Sequence, residues 1–142
     1  LQFILLFFLL ISCEDEREPF PYVYVDVTFD VSTDLNSLVE GQYIFVDGYG
    51  YGGLVIYRNG PNSFQAFDRA CTYKPQKKCI LVEFSSEHSE EDYKGLIECP
   101  CCGSSYWIYE DGMVFNGPSI VPLKQYDAYY NSPSDQLRVR SD

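Results

Sequence analysis

Six cysteines carry most of the chemistry available to this chain: Cys13, Cys71, Cys79, Cys99, Cys101 and Cys102. Thiolates bind soft metals or pair as disulfides, and Cys99-x-x-Cys102 has spacing suited to zinc held by four thiolates. The single histidine, His88, lies in the acidic run Glu87-His88-Ser89-Glu90-Glu91-Asp92 and reads as an exposed loop imidazole. Ser104 and Ser105 have no histidine base within reach by sequence, so a serine triad is not expected. Gly48-Tyr49-Gly50-Tyr51-Gly52-Gly53 sits between strand-like runs and opens no helix, which argues for a tight turn with surface tyrosines rather than a phosphate loop. The acidic residues match no calcium-loop pattern. Trp107 and its tyrosine neighbours read as core and edge aromatics. Nothing in the chain processes a substrate, and an enzyme is not expected.

The first segment concerns address. Leu1 to Ile11 is apolar except for Gln2, too short to span a bilayer and of the length of a signal-peptide core. The chain begins at Leu1 rather than Met, so a basic region is expected upstream. Leu10-Ile11-Ser12-Cys13 resembles a bacterial lipobox. That resemblance implies cleavage before Cys13 and lipidation of its thiol and amine, and several acyl chains on one residue give stable anchoring. Residues 1–12 are thus expected to be a lipoprotein signal peptide, 13–21 a lipidated acidic tether and 22–142 the folded domain. Glu14-Asp15-Glu16-Arg17-Glu18 is similar to the surface-export signals of Bacteroidetes lipoproteins, or serves as a solvated tether; Pro19 and Pro21 stiffen it. The expected location is the outer membrane, facing the periplasm or the cell surface. With Cys13 lipidated, five cysteines remain, an odd number for an oxidising compartment, so at least one thiol is free, bound or paired between chains.

The elements that must position the other cysteines read as strands. In 142 residues, 46% are hydrophobic and 17% aromatic, with 13 Tyr and 10 Phe, a composition that favours pleated, half-buried surfaces over disorder. The net charge of −11 repels phosphate backbones and excludes nucleic acid as a natural partner. Val23, Val25, Val27 and Phe29 alternate with polar residues and predict a strand; Asp34 to Gly41, with Leu35 and Leu38, predicts one helical turn. Further strands are predicted at Tyr43–Val46, Leu54–Arg58, Phe64–Asp68, Ile80–Phe84, Leu96–Glu98, Tyr106–Tyr109, Met113–Phe115 and Gln136–Arg140. Asn59-Gly60 marks a hairpin that Pro61 lengthens beyond two residues, and Asp111-Gly112 marks a second hairpin. No segment has helical periodicity, so one small antiparallel β domain is expected.

Phe64-Gln65-Ala66-Phe67-Asp68-Arg69-Ala70-Cys71-Thr72-Tyr73 resembles the strand and first cluster loop (Cys-x-His) of Rieske iron–sulfur proteins. Cys99-Pro100-Cys101-Cys102-Gly103-Ser104-Ser105-Tyr106 resembles the second loop, whose common form is Cys-Pro-Cys-His-Gly-Ser. Gly117-Pro118-Ser119, with Pro122-Leu123, is similar to the family's proline loop. The resemblance spans roughly residues 43–139 and extends to Rieske-like lipoproteins of Bacteroidetes with the Cys-Pro-Cys-Cys-Gly-Ser variant. It implies an all-β, Rieske-like antiparallel sandwich with two cysteine-bearing loops. It places the two cysteine ligands on Cys71 and Cys99, and puts Tyr73 and Cys102 where the family has histidines. It offers Cys79 and Cys101 as a loop-to-loop disulfide, although Cys79 lies further along than in the family. A Rieske centre depends on two imidazoles, which Tyr73 and Cys102 do not supply; His88 replaces one at most.

Three states follow. In the first, expected most, no metal is bound and Cys71 pairs with Cys99 or Cys102 beside a Cys79–Cys101 bridge. In the second, Cys71, Cys99, Cys102 and a further Cys or Tyr73 hold a 2Fe–2S cluster of low potential. In the third, zinc sits on four thiolates. Export as an unfolded chain weighs against iron. The expected function is therefore an accessory or structural subunit of an outer-membrane or cell-surface protein assembly. The alternative is an electron-transfer protein with a cysteine-rich 2Fe–2S cluster.

Overall fold

A computed structural model of the chain describes residues 17–85 and 93–142. The expected signal peptide at residues 1–12, the expected lipidation site Cys13 and His88 lie outside the described residues. Among the described residues ten strands form two sheets, and every pairing is antiparallel. They are β1 Asp26–Asp30, β2 Tyr43–Val46, β3 Leu54–Gly60, β4 Ser63–Asp68, β5 Val82–Glu83, β6 Leu96–Glu98, β7 Ser105–Trp107, β8 Met113–Asn116, β9 Gln125–Asn131 and β10 Gln136–Arg140. The larger sheet runs β1-β10-β9-β4-β3-β2 and the smaller β5-β6-β7-β8. This is the all-β antiparallel architecture with two cysteine-bearing loops that the Rieske resemblance implies.

The apolar run Leu54-Val55-Ile56 explains the layering. Alternate residues of a strand face opposite ways, and a strand buried on both faces is apolar throughout. Leu54, Ile56 and Ala66 pack with Phe29, Leu35, Leu38, Tyr126, Leu137 and Val139 on one face of β3 and β4. Val55 and Phe67 point the other way, into a second core with Leu81, Ile97, Tyr106, Ile108, Leu123 and two of the cysteines. The second core joins the small sheet to the large one. The cysteines therefore sit at the end of a packed wall.

Several sequence expectations change. The first strand begins at Asp26, not Tyr22, although Val25 and Phe29 keep the predicted inward face. The helical turn predicted between Asp34 and Gly41 is replaced by non-helical turns, closed by Leu38 N–H to the Leu35 carbonyl (2.8 Å) and Gln42 N–H to the Val39 carbonyl (3.2 Å). The hairpin at Asn59-Gly60 does not need a long loop. Gly60 pairs with Ser63, leaving Pro61 and Asn62 as the two turn residues, with a bulge between Arg58 and Gly60. Proline suits this position because its fixed φ matches the first central residue of a turn. At Asp111-Gly112 the reverse occurs: Trp107 pairs with Met113, and a 3₁₀ turn, Ile108–Glu110, enters the loop because Ile108 and Tyr109 are drawn into the second core. Ile80–Phe84 shrinks to Val82–Glu83, since Ile80 makes one bridge with Ala70 and closes a loop instead. Strand β9 was not anticipated, and it links β4 to β10.

Candidate thiol site at the loop tips

Three loops converge at one end of the small sheet. The first, residues 69–81, leaves β4 and is shut at its base by Cys71 N–H to the Cys79 carbonyl (2.8 Å) and Leu81 N–H to the Arg69 carbonyl (2.9 Å). The second, residues 99–104, joins β6 to β7 through Cys99 N–H to the Ser104 carbonyl (2.7 Å) and Gly103 N–H to the Cys99 carbonyl (2.9 Å). The third, residues 117–123, lies against the second. Gly117 has φ +109°, and a Cβ there would fall 2.4 Å from Ser104 Cα. Only glycine allows that approach.

A buried carboxylate anchors the first loop. Asp68, at the end of β4 and fully buried, accepts hydrogen bonds from the backbone N–H groups of Tyr51 (2.6 Å), Gly52 (2.9 Å) and Ala70 (2.8 Å). It also accepts one from the Tyr126 hydroxyl at 2.7 Å. A charged acceptor with four donors is satisfied despite its burial. The glycine-rich loop thus folds around the strand that delivers Cys71, and Gly52 has room for no Cβ, since one would lie 2.6 Å from the Ala70 nitrogen. Next in sequence, Arg69 donates from Nε to the Leu81 carbonyl (2.8 Å) and stacks its guanidinium on Phe45, 3.8 Å from the ring centre. Both residues escaped the sequence reading. No local sequence signal marks Asp68, because the glycine-rich loop and Tyr126 that it binds lie 16 to 58 residues away.

The loops are tied to each other in two ways. Cys79 and Cys101 are bonded as a disulfide, with Cα atoms 6.3 Å apart. Hydroxyls do the rest. Thr72 Oγ1 donates to the Val121 carbonyl (2.6 Å) and lies 2.9 Å from Ser119 Oγ and 3.0 Å from the Tyr106 hydroxyl. Ser104 Oγ accepts the Ser119 N–H at 3.0 Å. All three loops share this network.

Inside it lie Cys71, Cys99 and Cys102, all free thiols, with sulfurs mutually within 4.8 Å. Cys71 and Cys99 are buried and Cys102 is half-exposed. The Cys71 and Cys102 sulfurs are 3.7 Å apart, in contact but unbonded, so neither pairing considered for a second disulfide is made. Burial pushes the Cys71 thiol up to about 12, against hydrogen bonds from the Tyr106 hydroxyl (3.3 Å) and the Tyr73 backbone. Burial and the bond to Cys71 push the Tyr106 hydroxyl up to about 12. Cys102 moves the other way. Burial opposes its ionisation, but hydrogen bonds with the side chain and backbone of Ser104, and with Cys99 and Cys71, outweigh it and hold the thiol below its ordinary value. Tyr73 packs against the second core with the Lys74 ammonium 5.3 Å from its ring centre. A cavity of about 100 Å³ opens beside the thiols, lined by Tyr73, Lys74, Lys77, Cys99, Cys102 and the disulfide.

The donor set does not fit a Rieske centre, because the two imidazole positions hold Tyr73 and Cys102. Nor does it supply four cysteines to a cluster. Among the described residues three thiols are free, and the two nearest others are consumed in the disulfide.

No family model matches the sequence, and no curated protein matches it significantly. Solved structures similar to the chain include the complex of reduced oxygenase and oxidised ferredoxin in carbazole 1,9a-dioxygenase. The identity there is 22%, with 80% of this chain and 99% of that chain covered and a TM-score of 0.49. The Sphingomonas yanoikuyae B1 ferredoxin is similar at 20% identity, covering 76% of this chain and 93% of that one, with a TM-score of 0.48.

Proposed function

We propose that this chain is a non-enzymatic, lipid-anchored module of an outer-membrane or cell-surface assembly, which keeps a Rieske-like shape without Rieske iron chemistry. One observation supports the reading: the loops that would grip a cluster are tied to one another by protein bonds. The Cys79–Cys101 disulfide and the Thr72–Ser119–Ser104–Tyr106 hydroxyl network tie them, while the free thiols among the described residues number one short of a four-thiolate cluster. The tips then serve as a contact surface. They carry Lys74, Lys77 and Lys78 on a chain whose net charge is −11, and Ile120 is 64% exposed on the third loop. A basic tip with an apolar neighbour favours an acidic protein face as partner, since complementary charge steers docking. Anchoring through Cys13 would hold the domain at the membrane where such a partner resides.

The convergence of three thiols favours the second reading, an electron-transfer protein with a cysteine-rich 2Fe–2S cluster. Metal analysis, visible absorption and a thiol count on the purified mature protein separate the two. The module reading expects no stoichiometric iron, no visible charge-transfer bands and three titratable thiols in denaturant. Iron near two per chain with visible bands would overturn it in favour of the carrier.

A further inference from the structure

We infer that Cys71, Cys99 and Cys102 form a three-thiolate site for one soft, thiophilic d¹⁰ metal ion, with Cu(I) as the ion it fits best. The inference goes beyond the docking role and does not depend on it.

Geometry is the first argument. A metal at about 2.3 Å from each sulfur sets tetrahedral or trigonal thiolates about 3.8–4.0 Å apart. The three sulfurs already lie within 4.8 Å of one another, and those of Cys71 and Cys102 are 3.7 Å apart. Gathering them around an ion needs contraction at only part of the triangle, and they come from two loops already fixed to each other by the disulfide. The other cysteine cluster, Cys79, Cys99 and Cys101, has two of its three sulfurs bonded together and offers no comparable set.

The number of donors selects the ion. Thiolate ligands favour Cu(I), zinc and iron–sulfur clusters over harder ions. Structural zinc is almost always closed by four ligands, and a cluster needs four as well. Cu(I) is satisfied by three thiolates in a plane. The site provides three.

Charge and hydrogen bonding suit it too. Three thiolates around Cu(I) carry a net charge of −2, and the neighbouring cavity is lined by Lys74 and Lys77. Binding releases the three thiol protons to solvent and changes no oxidation state. Once Cys102 is deprotonated, its sulfur needs a donor. Ser104 Oγ, 3.1 Å away, already accepts the Ser119 N–H, so its own proton is free to turn toward the thiolate. Tyr106, 3.3 Å from the Cys71 sulfur, can do the same there. Such donors set the affinity of sulfur sites, and losing one costs about tenfold or more in metal binding.

The test is anaerobic titration of the full chain in detergent with Cu(I), against a colorimetric Cu(I) chelator, with X-ray absorption to count sulfur neighbours. The expected result is one Cu(I) withheld from the chelator per chain, with three sulfurs at about 2.3 Å. Cys102→Ser should abolish the competition, and Ser104→Ala should weaken it about tenfold while near-ultraviolet circular dichroism stays native. No competition by the wild type, a sulfur count of two, or retention of copper by Cys102→Ser would each overturn the site. Uptake of zinc in preference to Cu(I) would overturn the choice of ion. If Cys102→Ser misfolds, the sulfur count of the wild type still decides. Iron bands in the purified protein would strike at the docking reading; failure of copper binding would leave that reading intact.

Discussion

Removing the Cys79–Cys101 disulfide tests directly whether protein bonds, rather than a metal, hold the loop tips. The two cysteines are 22 residues apart in sequence. In the chain-entropy account a bridge stabilises by restricting the unfolded chain, and closing a loop of that length is worth about 3.4 kcal/mol at 25 °C. That is about a 300-fold change in the folding equilibrium, a large part of the roughly 5–15 kcal/mol typical of a domain. The variant to make is Cys79→Ala with Cys101→Ala, which leaves no orphaned thiol. Chemical unfolding followed by Trp107 fluorescence and far-ultraviolet circular dichroism should show a cooperative transition shifted by about 3 kcal/mol, with a slightly steeper denaturant slope as the unfolded chain expands. The hydroxyl network does not involve the disulfide, and the core of Phe67, Ile97 and Tyr106 meets it only at its edge through Cys79, so the variant should still fold. A loss below about 1 kcal/mol with an unchanged slope would refute the reasoning, because the bridge would then constrain little that the unfolded chain explores. Complete loss of folding would refute it differently. The network would be too weak to hold the loops by itself.

Two further outcomes follow from buried groups. Asp68→Ala removes the common acceptor of Tyr51, Gly52, Ala70 and Tyr126, leaving buried donors unpaired, and should cost about 3–5 kcal/mol, against about 1.5 kcal/mol for Tyr126→Phe. A double-mutant cycle should give a coupling of about 1–3 kcal/mol, and additive losses would show that the pair does not interact. Alkaline pH should destabilise the domain. Burial, then Glu83 and Tyr109, pushes Tyr43 up to about 12 from 10.0, and burial together with the Asp68 carboxylate raises Tyr126 further. A group whose folded value is raised contributes fully below its unfolded value and loses that contribution as pH climbs through the folded one, so the melting temperature should fall from pH 10 upward. A melting temperature that is flat between pH 10 and 12 would contradict the assignment.

Sequence pattern revealed the strands that bury one face or both, and missed those whose signal is diluted. Leu54-Val55-Ile56 is apolar without a break and reads directly as a strand. In β9, only Tyr126 is buried, while Ala128 and Tyr130 share its face at half-burial and Gln125, Asp127, Asn131 and an exposed Tyr129 occupy the other. Pairing with β4 and β10, not local preference, makes it a strand. The cysteine loops were legible through their motifs, but not the reach of Cys79. Seven residues separate it from Cys71, yet a 3₁₀ turn, Pro75–Lys77, flanked by left-handed Lys74 and Lys78, folds the extra length back toward Cys101. No spacing rule predicts that, because it depends on two positive φ angles and on the Ala70–Ile80 bridge closing the loop. Asp68 was invisible for a related reason. Its four partners come from 16 to 58 residues away as well as two, and a carboxylate that organises distant backbone looks, in one dimension, like any polar strand end.

These two anchors bear on how the chain can lack the imidazole ligands and keep the shape. Asp68 fixes the strand that delivers Cys71 from below, through bonds to the glycine-rich loop and β9. The disulfide and the Thr72–Ser119–Ser104 network fix the tips from above, without asking anything of residues 71, 99 or 102 as ligands. A binding site supported from outside its own donors is free to change them. A phenol and a thiol at the positions where the Rieske resemblance would put imidazoles alter what the site can hold, while the wall of β3, β4 and the small sheet that carries it stays packed. The third thiol then gains significance. Cys102 sits where it touches Cys71, is hydrogen-bonded to Ser104 and faces a cavity, and none of those contacts is needed to keep the loops together.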